Sequence, residues 1–204
     1  MTELAVLQAV RLKGRVRPAE LAATLNEDVA GVAALVERLT AAGLLVDGAT
    51  VRLTPAGRER LAALLEEERR GTDHAALGAA YRDFRSVNAD FKALVTEWQL
   101  KGGPGGSPNT HDDAQYDAAV LDRLDDVHAR VLPIIDAAAA QLPRLRGYSA
   151  KLVAALGKVH EGETAWLTKP LVDSYHTVWF ELHEELISAI GLTREEAARS
   201  GDAQ

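Results

Sequence analysis

Apolar residues recur at three- and four-residue steps along nearly the whole 204-residue chain, so the pattern predicts a mainly α protein. A first helix is expected from Glu3 to Leu12, burying Leu4, Leu7 and Val10. After a connector at Arg15 to Arg17, Pro18 suits the opening turn of a second helix, whose buried side is Leu21, Ala22 and Leu25 and whose end is Asn26. Asp28 is a good cap for a third helix with Val32, Leu35, Val36 and Leu39 on one face, closed by Gly43. Two short alternating runs follow, Leu44 to Val46 and Thr50 to Leu53, and Asp47-Gly48 predicts a tight hairpin between them. Thr54 then caps a helix from Pro55 to about Arg70.

Beyond Gly71-Thr72 the periodic segments lengthen. Four long helices are expected, at His74 to Lys101, Asp113 to Leu142 with a kink at Pro133, Ser149 to His160, and Thr168 to Ile190, with a short terminal one from Thr193. The expected organisation is an N-terminal domain at 1–71 and a helical bundle for sensing or dimerisation at 72–204, broken by a flexible Gly/Pro loop at 102–112.

Charge narrows the partners of each part. Residues 1–70 hold ten Lys and Arg against ten Asp and Glu, whereas residues 71–204 hold thirteen against twenty, so the whole net charge of −7 lies in the second part. Phosphate backbones are bound by cations that release counterions, which leaves the first seventy residues as the part suited to DNA. With no cysteine, disulfides, thiolate–metal ligation and cysteine nucleophiles are excluded. The N-terminus has no signal-peptide core and no apolar run approaches the ~20 residues of a membrane span, so a cytoplasmic protein with no membrane partner is expected.

The order helix, helix, helix, hairpin, helix resembles the winged helix-turn-helix domain of MarR-type bacterial regulators. The resemblance covers the N-terminal third. It is carried by Pro18-Ala19-Glu20-Leu21-Ala22, by Val36-Glu37-Arg38-Leu39 leading to Gly43-Leu44-Leu45, and by Leu53-Thr54-Pro55-Ala56-Gly57-Arg58. It implies transcription regulation through DNA, with the third helix in the major groove and the hairpin as a wing. The residues depart from that expectation at the reading surface. Base edges are read by Arg, Lys, Asn, Gln, Ser or Thr, and the third helix offers Val29, Ala30, Gly31, Ala33 and Ala34. The wing tip Val46-Asp47-Gly48-Ala49 lacks the arginine that such wings usually carry. Candidate DNA contacts are therefore Arg11, Lys13, Arg15, Arg17, Arg52 and Arg58, acting on phosphates. A non-DNA-binding module docking a protein partner is the alternative, because Ala and Gly on an exposed helix face suit close packing.

In the second part, one seam on the first long helix is Leu77, Tyr81, Phe84, Asn88, Phe91, Val95 and Trp98. The second carries Leu121, Leu124, His128, Val131 and Ile135. The fourth is apolar on two sides, Leu171, Tyr175, Val178, Leu182 and Leu186 on one and His176, Phe180, His183 and Ile187 on the other, which predicts a central helix. If the seams meet, Asn88, His128, His176 and His183 converge beside Tyr175, Trp179 and Phe180. Three readings are open: a satisfied internal network, a small-molecule effector pocket, or a metal site. The candidate ligand-binding set is Asn88, His128, Tyr175, His176, Trp179 and His183. Metal-binding helical sensor domains of another bacterial regulator class look similar in outline, yet Lys92 stands where their first ligand histidine would, so no metal is assigned.

No motif implies a cofactor or catalysis: the Gly102 to Gly106 run lacks the lysine of a phosphate loop, and Glu181, His183 and Glu184 read as a solvated helix edge. The segment Asp173 to His183 is also similar to segments accompanying actinobacterial phosphoenolpyruvate-utilising dikinase-type proteins, which implies an accessory role in phosphotransfer as a form of the docking alternative. The regulator expected from these features is a homo-oligomer that shifts between two bundle packings on binding its effector.

Overall fold

The computed structural model describes residues 2–46, 48–192, 196 and 199. The architecture is mainly α, with two small two-stranded hairpins among the described residues. The chain divides into two compact units, Met1–Thr72 and Asp73–Gln204.

The first unit is α1 (Glu3–Lys13), α2 (Pro18–Leu25), α3 (Val29–Ala41), β1 (Leu45–Val46), β2 (Arg52–Leu53) and α4 (Pro55–Arg70). Its helix ends follow local chemistry. The Thr2 hydroxyl accepts from the Ala5 amide, the Asp28 carboxylate from Ala30 and Gly31, and the Thr54 hydroxyl from Gly57, each satisfying amides that a first helical turn leaves open. Asn26 ends α2 in the left-handed region. The core beneath is aliphatic throughout, built on Val6, Leu7, Val10, Leu21, Val32, Leu35, Leu45, Val51 and Leu61. All the aromatic residues and all the histidines of the chain lie beyond residue 72.

The hairpin differs from the tight one expected. β1 and β2 pair Leu45 with Leu53 and Val46 with Arg52, so the strands are shorter than predicted and residues 47–51 form the connection. Asp47 itself lies outside the described residues. The physical reason is Val51: it is fully buried and pairs with Val16 instead, through Val51 N–H to Val16 O at 2.9 Å and Val16 N–H to Val51 O at 3.3 Å. The connector at Arg15 to Arg17 is thereby tied to the hairpin.

The start of α4 is fastened to the end of α3. The Thr54 amide and hydroxyl both donate to Leu44 O, at 3.1 Å, and the hydroxyl also donates to Gly43 O at 2.7 Å. This brings the helix so close that a Cβ on Gly57 would overlap the Leu44 carbonyl. Gly57→Ala is therefore expected to destabilise this unit by about 1–3 kcal/mol, the usual range for overpacking. Amide hydrogen exchange across residues 3–70, with residues 74–189 as internal reference, checks it; unchanged protection would contradict the tight packing.

The second unit contains α5 (His74–Gln99), β3 (Leu100–Lys101), β4 (Ser107–Pro108), α6 (Ala114–Gln141), a 3-10 turn at Pro143–Arg146, α7 (Gly147–His160), a second 3-10 turn at Thr164–Leu167, and α8 (Tyr175–Ala189). α5 and α6 form its most extensive helix pair, and α6 runs through Pro133 without interruption. The α5 seam is buried as the spacing predicts, from Leu77 to Trp98.

Two expectations are corrected here. The Gly/Pro stretch is not a plain loop: β3 and β4 pair antiparallel, Leu100 with Pro108 and Lys101 with Ser107, and Gly102, Gly103 and Gly105 take the positive φ that the reversal needs. Side chains hold it. Asn109 Nδ2 donates to Trp98 O at 3.2 Å and to Asp117 Oδ1 at 2.9 Å, the His111 ring sits 4.4 Å from that of Trp98, and Lys101 pairs with Asp113 at 3.0 Å. The fourth long helix starts at Tyr175 rather than Thr168, because Leu171 is left-handed at φ 63° and the Ser174 hydroxyl caps the new start. Leu171, expected on the buried seam, is fully exposed. The terminal helix expected from Thr193 falls on residues mostly outside those described. No helix among the described residues is long and apolar enough to cross a membrane.

Candidate functional site

Each unit holds a groove with functional character. In the first, Arg11 and Gly14 at the end of α1, Arg52 on β2 and Arg58 on the first turns of α4 surround a half-open groove of about 420 Å³, walled by Val10, Val46, Leu53 and Pro55. Three of the six candidate phosphate contacts thus meet from three elements. Arg11 Nε donates to Gln8 Oε1 at 3.0 Å and Arg58 Nη1 to Leu53 O at 3.5 Å, while Arg52 makes no side-chain hydrogen bond or ion pair among the described residues. Lys13, Arg15 and Arg17 do not line the groove, and Arg17 is engaged with Glu20 at 3.0 Å.

The outer face of α3 offers little to a base edge. Val29, at 57% exposure, Ala30 and Ala34 lie outward, with Glu27 and Asp28 before them and Glu37 and Arg38 after. The Asp28 carboxylate is occupied as a helix cap.

In the second unit the candidate polar residues separate into two groups instead of converging. Asn88, His176 and His183 line a half-open groove of about 220 Å³ between α5 and α8, together with Phe91, Lys92, Val95, Thr96, Trp179 and Phe180. His128 and Tyr175 do not line it: His128 Nδ1 and the Tyr175 hydroxyl are 3.2 Å apart, a bond between α6 and α8. Seam spacing places residues around a helix but not along its neighbours, and His128 is engaged with the fully buried Tyr175 instead of the others. Burial lowers the pKa of the half-buried His128, a shift that Asp125 opposes, and partial desolvation by the groove walls also lowers that of His176, although its side chain stays open to solvent. Burial likewise holds the Tyr175 phenol well above its ordinary range, so it stays protonated.

The floor of this groove is an aromatic stack. Trp179 Nε1 donates to Asn88 Oδ1 at 2.9 Å, which fixes the indole; Phe91 stacks on it with centroids 4.3 Å apart, and His176 lies 6.1 Å from Phe91. His183 is buried against Phe84 and Tyr81, at 5.2 and 6.2 Å. Of the expected second buried side of this helix, His183 and Ile187 are buried and His176 and Phe180 are exposed, so it holds only beyond the first two turns. The Lys92 ammonium and the His176 imidazole make no hydrogen bond or ion pair among the described residues.

A third polar cluster was not anticipated. Glu181, Glu184 and Glu185 on α8 are buried, so the solvated edge expected around Glu181 and Glu184 is corrected. Arg144 Nη1 donates to Glu185 Oε2 at 2.5 Å, the Tyr148 hydroxyl lies 3.4 Å from Glu185 Oε1, and Lys151 is 3.9 Å from Glu181 and 3.6 Å from Asp173. Burial, reinforced by Glu185 and Glu181, holds the Tyr148 phenol far above its ordinary range and keeps it a donor. The signal for this layer was the two-sided apolarity of α8: where the helix is enclosed, from Glu181 to Ile187, it cannot turn every carboxylate outward. Among the described residues no three of His, Asp and Glu gather as a metal site.

No protein-family model, no curated protein and no solved structure matches this chain.

Proposed function

We propose that this protein is a MarR-like winged-helix transcriptional regulator, gripping DNA by its phosphates through the first unit and holding a small-molecule effector in the second. The observation that carries the reading is the meeting of Arg11, Arg52 and Arg58 around one groove in a unit with helix-turn-helix and hairpin order. Arginines so placed make phosphate contacts, while the Val and Ala face of α3 supplies no donors for base edges. Binding is accordingly weakly selective for sequence and steeply salt-dependent. The effector is assigned to the α5/α8 groove, an apolar wall with a few polar groups, as small-molecule sites are built.

Fluorescence anisotropy of a labelled duplex of mixed sequence over a salt series tests this. Each phosphate contact contributes about 0.9 to the slope of log K against log salt, so Arg52→Ala and Arg58→Ala each reduce it by about that amount. Absence of binding by the wild type at low salt would overturn the DNA reading. That result would favour the protein-docking module, for which the exposed Val29, Ala30 and Ala34 surface is the supporting feature.

A further inference from the structure

We infer that the groove bounded by α1, the hairpin and α4 takes a phosphate monoester with a small aliphatic body, its phosphate on Arg11, Arg52 and Arg58 and its body against Val46, Leu53 and Pro55. This rests on the reading of those arginines as phosphate contacts and names a small molecule that competes with DNA for them.

Charge is the first observation. Three guanidiniums from three elements face one recess, and no carboxylate lines it among the described residues. Each phosphate of a duplex backbone brings one negative charge, whereas a monoester brings about −1.5 to −2 at pH 7 and three acceptor oxygens. Guanidinium forks take such oxygens two at a time, so a recess that gathers three of them suits the more highly charged group. Arg11 is held by Gln8 and Arg58 by the Leu53 carbonyl, which leaves less ordering to be done on binding. The Thr54 hydroxyl is already donated to the Gly43 and Leu44 carbonyls, so the guanidiniums are the side-chain donors that face a ligand.

Size and walls separate a small molecule from a passing backbone. The volume of about 420 Å³ lies within the ~300–1,000 Å³ of small-molecule sites. A duplex is too wide to enter such a recess and meets only the side chains at its rim, leaving the walls uncovered. Val46 is 36% exposed and Pro55 is exposed as well, so an apolar body laid over them removes both from water. The walls are aliphatic, with no ring on which a nucleobase or other flat group would stack, and this selects an alkyl body.

Isothermal titration of the full chain at low salt with n-hexyl phosphate, inorganic phosphate and 1-hexanol tests the assignment. The ester is expected to bind at least about tenfold more tightly than inorganic phosphate, the worth of about two buried methylenes, and the alcohol to give no heat at the same concentration. Arg52→Met should weaken the ester about tenfold, the loss of one charge-assisted hydrogen bond. Val46→Ser should bring the ester towards inorganic phosphate, and Lys92→Met, in the other groove, should leave it unchanged. Equal binding of ester and inorganic phosphate, ester binding that survives Arg52→Met or is lost in Lys92→Met, or no heat at millimolar ester would overturn the inference. In the duplex assay the ester should raise the apparent Kd in proportion to its concentration; ester and duplex bound together would overturn it too. The two readings fail separately. Ester bound through Arg52 by a chain that binds no duplex leaves the ligand assignment standing and removes the DNA reading; duplex bound by a chain that takes no ester does the reverse.

Discussion

Trp179→Ala is expected to lower the stability of the second unit by about 3–5 kcal/mol, the range for emptying a large aromatic site in a packed interior. The side chain is 2% exposed and its ring contacts Phe84, Phe91 and Tyr175, with centroids 5.2, 4.3 and 6.0 Å away. Removal leaves a cavity among stiff rings and takes from Asn88 its indole donor. Trp179→Phe should lose less, since it keeps a ring but not the N–H. Urea unfolding followed by the fluorescence of Trp98 and Trp166 measures both variants. A shift of the midpoint by less than about 1 kcal/mol for the alanine variant would contradict the packing described.

Arg144→Met should destabilise the same unit by about 3–5 kcal/mol at neutral pH, because it strips the cation from a carboxylate whose side chain is 5% exposed. The loss is not a measure of what the ion pair contributes, since both ions were desolvated to form it. Replacing both partners with apolar groups, Arg144→Met with Glu185→Leu, should therefore recover most of the stability. The same urea titration, run as a double-mutant cycle, reads the coupling. A single variant as stable as the wild type would mean that Glu185 finds another partner or reaches water.

Local chemistry made the first unit legible. Pro18, Asp28 and the Thr54-Pro55 pair each mark a helix start through a backbone rule that needs no distant partner, and α2, α3 and α4 begin there. The α5 seam was legible for the same reason, because burial repeats with the helix turn. What escaped depends on partners and backbone states that helix and hairpin spacing does not encode. Val51 is drawn away from the tight hairpin by Val16, and the Gly102 to Gly106 reversal is held by Asn109 and Asp117. Leu171 continued the three- and four-residue steps of the seam and still left the helix, since its left-handed backbone and the cap at Ser174 set a later start. Of the candidate ligand-binding set, Asn88, His176, Trp179 and His183 share a groove; His128 and Tyr175 do not, because helix height is invisible to spacing. Lys92, read only as a missing metal ligand, proved to line that groove.

The wholly aliphatic interior of residues 3–70 makes that third of the chain optically silent above about 250 nm, with no indole, phenol or benzyl chromophore to absorb there. Intrinsic emission and near-ultraviolet dichroism consequently belong to the helices after residue 72 alone. Any spectral change seen on adding DNA would be a message received by the second unit.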